Sequence, residues 1–218
     1  MNENIQRIEA EDIVRMSLIS EKVTELTKDG DLPFISAFVM AQDLVGAERV
    51  KQEVLDGKVQ MSATTPVLVG SYARIDFIRW LQEQGYISAD QHLEWFRLHW
   101  TGADPDDTDE RNLAMWRKVN KRWRNDGPGT PYYRDSDKYL PSVTGKFPVY
   151  RGQRMTDKTG FSWSLRQDVA RKFAVTGGGR APIKDGLVLV GNARPHDVLA
   201  YLTGRGEDEV IIDPANVR

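Results

Sequence analysis

Gly206-Glu207-Asp208-Glu209-Val210-Ile211 lies near the end of the chain, downstream of Val149-Tyr150-Arg151-Gly152 and Phe161-Ser162-Trp163-Ser164. In the first of these, two glutamates two residues apart open an aliphatic run. In the others, an arginine ends a short apolar run and two serines flank a tryptophan. Apolar runs this short, punctuated by glycines and prolines, read as strands. Further runs of the same kind span Phe147 to Tyr150, Leu187 to Val190, Val198 to Leu202 and Val210 to Ile212. One helix breaks the series, with Val169, Ala170, Phe173 and Ala174 as its buried face.

Upstream the pattern changes to helical spacing. Glu9 to Thr27 is expected to be helical, with Ile13, Val14, Leu18, Val23 and Leu26 on one face. A second helix is expected over Phe34 to Leu55, with Phe38, Leu44, Val45, Val54 and Leu55 as its apolar side, although Gly46 weakens its continuity. Thr64 to Gly70 reads as loop or edge structure. Ser71 to Gln84 is helical through Ile75, Phe77, Ile78 and Leu81, and Gly85 stops it. Ser88-Ala89-Asp90-Gln91 is a capping-box pattern that opens a helix to Trp100, and Leu113 to Trp123 forms one more. The polar, Gly- and Pro-rich stretch from Asn125 to Tyr139 marks the expected boundary. The expectation is an α+β protein: a helical N-terminal region over residues 1–130 and a strand-rich unit over 131–218.

Bulk properties narrow the function classes. The chain has 218 residues, 40% hydrophobic and 28% charged, with a net charge of −2. That balance supplies no global field toward nucleic acid or membrane, though a local basic patch is compatible with it. There is no cysteine, which excludes disulfides, thiolate metal sites and a cysteine nucleophile. The polar, acidic opening Met1-Asn2-Glu3-Asn4 is unlike a signal peptide, and no apolar run reaches the ~18 residues of a membrane helix. A soluble cytoplasmic protein is expected.

Several residues could carry chemistry, and each has a plainer reading. His92 and His99 are seven apart on one expected helix beside Trp95 and Trp100, which favours packing over catalysis. Asp104 to Glu110 is acidic, but it lacks the central glycine of a calcium loop and has Met115 where a ligating glutamate belongs, so it reads as a solvated linker. Trp116, Arg117, Lys118, Lys121, Arg122, Trp123 and Arg124 interleave cations with aromatics, which could hold a nucleic-acid backbone and stack on bases. The plainer account buries the tryptophans and leaves the charges in water. Gly177-Gly178-Gly179-Arg180 could approach a phosphate or simply form a loop. Ser164 opens a capping-box pattern, Ser164 to Gln167, and in extended structure Ser162 shares its side. Glu207 and Glu209 likewise share a face if extended, and so close a pair repels. One carboxylate can then stabilise developing positive charge while the other takes a proton. The alternative is an acidic turn made by Gly206.

Taken together and in this order, these pieces resemble the ADP-ribosyltransferase superfamily. The closest likeness is to its Arg–Ser–Glu group, which includes cholera-type toxins, clostridial actin and Rho modifiers, and T-even phage transferases. The likeness covers residues 147 to 214 and rests on aromatic-Arg-Gly, aromatic-Ser-x-Ser and Gly-Glu-x-Glu before an aliphatic strand. It implies a compact split β-sandwich and cleavage of NAD at the nicotinamide glycosidic bond. ADP-ribose would pass to a macromolecular acceptor, a protein arginine being favoured over nucleic acid, with no metal and no membrane involved. Arg151, with Gly152, would contact the NAD phosphate or its ribose. Ser162 would hydrogen-bond near the catalytic glutamate, and Ser164 would brace the site. Glu209 would be that glutamate, and Glu207 would orient an acceptor guanidinium. Trp163 stands where the family has threonine and could be an aromatic wall for NAD or part of the core. Tyr201, Thr203 and Arg205 fall where the family recognises its acceptor, and Gly177 to Arg180 is a candidate for its phosphate–nicotinamide loop. Two other readings stay open: a nucleic-acid-directed transferase or NAD glycohydrolase, and a non-catalytic protein retaining the fold.

Overall fold

The computed structural model describes residues 3–28, 32–126, 144–177 and 183–218. The expected boundary at residue 130 and the glycine-loop residues Gly178 to Arg180 lie outside them. The chain divides into two compact units, residues 1–92 with 102–105, and residues 93–101 with 106–218.

The first unit is helical. Helix α1 (Glu3–Thr27) packs on α2 (Phe34–Leu55) through Ile19 and Val23 against Ala37 and Ala41, with Leu26, Phe38 and Val45 flanking them. Alanine at the contact lets helix axes approach closely, which is why the buried side of α2 runs Ala37, Ala41, Ala47, Val50 and Val54. Leu55, expected on that side, is exposed. Ile13, Val14 and Leu18 are also exposed, at 70%, 59% and 47%, against the expectation that they face the core. The packed stripe is Ile19, Val23 and Leu26, spaced i, i+4, i+7, and Leu18 lies one residue, about 100°, off it. Gly46 leaves α2 continuous. A 3₁₀ turn occupies Thr65–Leu68. Helix α3 (Arg74–Glu83) buries Ile75, Phe77, Ile78 and Leu81, as its spacing dictates. Helix α4 (Ala89–Trp100) opens on the expected capping box: Ser88 N–H donates to Gln91 Oε1 at 2.8 Å, and Gln91 N–H donates to Ser88 Oγ at 3.2 Å.

The second unit takes the C-terminal half of α4, helix α5 (Glu110–Asp126) and an open antiparallel sheet. The tryptophan-bearing α5 thus belongs with the sheet. The strands are β1 (Phe147–Arg154), β2 (Ser162–Ser164), β3 (Gly186–Ala193), β4 (Val198–Leu202) and β5 (Glu209–Ile212), in the order β3-β1-β2-β5-β4. Alternation sends Phe147, Val149, Trp163, Tyr201, Val210 and Ile212 into one core. Helix α6 (Gln167–Thr176) packs on β1 and β3. Glycine is required at both contacts. A Cβ on Gly152 would lie 1.9 Å from the Ala170 carbonyl oxygen, and one on Gly186 would lie 1.7 Å from that of Ala174. The fold is therefore α+β. No helix among the described residues is long and apolar enough to cross a membrane.

Candidate functional site

The register of the sheet builds the site. Ser164 pairs with Glu209 across β2 and β5, and Ser162 pairs with Ile211, so Ser162, Ser164 and Glu209 share one face. Ser162 Oγ donates to Glu209 Oε1 at 2.5 Å. Trp100 Nε1–H donates to the same oxygen at 3.2 Å. Oε2 has no partner among the described residues. The Trp100 indole is fixed by neighbouring rings: Phe96 (tilted) and Trp116 (edge-on) each at 5.3 Å and Phe161 (tilted) at 5.7 Å between centroids. One carboxylate oxygen is thus anchored twice, and the other makes no hydrogen bond among the described residues.

Burial pushes the Glu209 carboxyl above the ordinary glutamate range, and the negative charges of Glu207 and Asp107 push it the same way. Hydrogen bonds from Ser162 and Trp100 oppose that shift by favouring the ionised form.

Glu207 and Glu209 are not related as neighbours along a straight strand. Gly206 turns the chain at φ +65°, Glu207 closes a 3₁₀ turn with φ −90° and ψ −12°, and Asp208 is left-handed at φ +46°. The shared face expected from extended structure is therefore absent. Asp208 tolerates this conformation better than most residues, and two contacts hold it there: Tyr201 O–H donates to its Oδ1 at 2.8 Å, and its carbonyl accepts from Leu165 N–H at 3.0 Å. Tyr201 is 8% exposed, and its hydroxyl braces this turn.

Arg151 sits where β1 and β2 part. Their register contains the single pair Tyr150–Ser164, and the guanidinium enters the gap beyond it. Nη1 donates to the Ser162 carbonyl at 2.7 Å and to Asp107 Oδ2, Nη2 donates to Asp107 Oδ1 at 3.2 Å, and Nε donates to Gln153 Oε1 at 2.8 Å. Four of its five N–H groups are engaged. Asp107 also accepts from Ser162 N–H at 3.4 Å, and its carbonyl accepts from Phe161 N–H at 3.0 Å. A Cβ on Gly160 would lie 2.5 Å from this carboxylate. The segment read as a solvated linker therefore supplies the partner of Arg151.

The remaining expected residues divide. Ser164 does not cap a helix. It lies in β2, its Oγ donates to the Glu207 carbonyl at 2.6 Å and accepts from Arg166 N–H at 3.0 Å, and α6 starts at Gln167, two residues beyond the expected first helical residue. Of the two roles left open for Trp163, the structure shows core: it is 5% exposed among Phe147, Val149 and Val210, with its Nε1–H unbonded. Gly152 is explained by its contact with α6, which leaves it no room to meet a cofactor through that face. Gly177 is the left-handed C-cap of α6. His92 and His99 are buried, each 7% exposed. No group of metal-ligating side chains is found among the described residues. Asp107 and Trp100 were missed because neither carries a local signal: one sits in an acidic turn and the other in a regular apolar stripe.

Comparison with protein-family models, with curated proteins and with solved structures found no match to this chain.

Proposed function

We propose that this chain is a mono-ADP-ribosyltransferase using NAD as substrate, with the open sheet belonging to a split β-sandwich of that family. The observation that carries the reading is the doubly anchored Glu209, with Ser162 and Trp100 on Oε1 and Oε2 left without a hydrogen bond among the described residues. On this reading Oε2 accepts a hydrogen bond from the nicotinamide-ribose 2′-hydroxyl. The bond from the ribose C1′ to the nicotinamide nitrogen breaks, and nicotinamide leaves with the electron pair. The carboxylate stabilises the oxocarbenium-like charge left on the sugar. An acceptor nucleophile then bonds to C1′ and gives its proton to a carboxylate. Glu207 is half-buried at the turn and its side chain has no partner among the described residues; on this reading it orients a protein guanidinium and takes that proton. Ser164 supports the reading as a brace of the Glu207 backbone. No metal enters the scheme.

Arg151 supports a second reading. Its guanidinium is held by Asp107, so NAD phosphate must use the one remaining Nη2–H or displace a carboxylate. A protein that keeps this architecture for binding alone would also hold its arginine so. Incubation with NAD separates the two. Nicotinamide release that disappears in Glu209→Gln supports the transferase. No release, with or without cell lysate as a source of acceptor, rejects it, as does release undiminished in Glu209→Gln.

A further inference from the structure

Helix α5 buries one stripe and charges another. Trp116 and Trp123, which interleave its cations in sequence, are 0% and 3% exposed, so neither can stack on a base. Arg117, Lys121 and Arg124 are exposed at i, i+4 and i+7, which puts them on one face over a rise of about 10.5 Å. The same side of α5 is tied to the end of the sheet: Arg117 pairs with Asp213 at 2.5 Å, Asn120 Nδ2 donates to the Leu199 carbonyl at 3.0 Å, and Arg124 Nη2 donates to the His196 carbonyl at 3.4 Å. His196 in turn lines a concavity with Lys146, Asn192, Arg194, Asp197, Asn216 and Arg218. The cationic stripe and the basic concavity are therefore one surface. Lys121, Arg124, Lys146, Arg194 and Arg218 have no carboxylate partner among the described residues. Two acids lie beside them: Asp197, a lining residue, accepts from the backbone N–H of Arg194 at 3.0 Å and faces His196, and Asp213 holds Arg117.

We propose that this surface docks the phosphate backbone of a nucleic-acid duplex. A net charge of −2 for the chain makes a patch of five cations against one lining carboxylate, Asp197, a local departure from its average. Its extent favours a polymer: a lone phosphate would fill the concavity and leave Lys121 and Arg124, two exposed cations about one turn apart on α5, without a counter-charge. Buried tryptophans select backbone contact over base stacking, hence a duplex over an unpaired strand. The inference stands apart from the NAD reading, because none of these residues contributes to the Glu209 site.

Fluorescence anisotropy of the full chain with labelled DNA and RNA duplexes of mixed sequence, from 50 to 200 mM salt, tests it. Five phosphate contacts give a log–log salt slope of about −4.5 on DNA, or about 500-fold weaker binding across that range. The double variant Lys121→Gln/Arg194→Gln is expected to lower the slope magnitude by about two, while Lys172→Gln on α6 leaves it unchanged. Tighter binding to one duplex identifies whether DNA or RNA is the natural source of the backbone. Absence of saturable binding to both at 50 mM salt overturns the proposal. So does a slope indifferent to the double variant, or competition by polyglutamate as effective as that by unlabelled duplex, which would assign the surface to an acidic protein. Circular dichroism melts of the variants confirm that folding is intact, and nicotinamide release reports the other site independently.

Discussion

Replacing Ser162 by alanine removes one atom group with a specific job. Its Oγ–H is the shorter of two donors to Glu209 Oε1, at 2.5 Å against 3.2 Å for Trp100. Its backbone contacts to Asp107 and Arg151 survive the substitution. A hydrogen bond to a charged group contributes about 1.5–3 kcal/mol, or about 10- to 150-fold in an equilibrium. The bond favours the ionised carboxylate, and burial already pushes that group above the ordinary range. Loss of Ser162 Oγ therefore moves Glu209 further up. If the ionised form is the working one, nicotinamide release rises with pH in the wild type, and in Ser162→Ala the rise is displaced to higher pH. On the acid side of the profile the variant should be slower by about 10- to 150-fold, with the loss shrinking as pH increases and the variant carboxyl ionises. The assay is initial nicotinamide release across pH 5–9 for wild type, Ser162→Ala and Ser162→Thr, the last retaining a donor. A loss of equal size at every pH would refute the reasoning, since it would mean the serine positions the site without acting on the charge of Glu209.

Other consequences are open to direct measurement. Because the folded-state carboxyl of Glu209 lies above its unfolded value of 4.5, its contribution to stability is present below that value and lost as pH rises through the folded one. Glu209→Gln is thus expected to melt higher than wild type at neutral pH with the gain gone near pH 4, while slowing nicotinamide release by about 10²–10³-fold; an equal melting difference at both pH values contradicts the linkage. Gly152→Ala must push a methyl against α6 backbone atoms 1.9 and 2.5 Å away, and urea denaturation should show a loss of about 1–3 kcal/mol or more; a neutral result would mean that α6 is not seated on β1 as described. Asp107→Asn leaves Arg151, whose side chain is only 13% exposed, without its counter-charge; a loss of about 2–4 kcal/mol is expected, and an unchanged midpoint would show that the pair is not a strut.

Much of the architecture is legible in single stretches of chain. Val198 to Leu202 and Phe34 to Leu55 form the elements their patterns announce, because alternation and helical spacing are local properties. Ser88 and Gln91 form their capping box for the same reason. Local pattern misleads where the outcome depends on a non-local choice. Ile13, Val14 and Leu18 look like a core face, but the residues that meet a partner depend on where α2 lies. Glu207 and Glu209 look like neighbours on a strand, but Tyr201 holds Asp208 left-handed between them. Gly152 looks like part of a binding signature, yet the approach of α6 already accounts for it.

Taken alone, then, the sequence determines that strands carry Arg151, Ser162 and Glu209, and that Ser162 and Ser164 share a side. Tertiary structure decides which charge meets which. Asp107 reaches Arg151 across 44 residues of chain, and Trp100 reaches Glu209 across 109. Side-chain direction follows from backbone geometry one residue at a time, whereas the partner of a buried charge is whichever donor or acceptor the fold brings within about 3 Å.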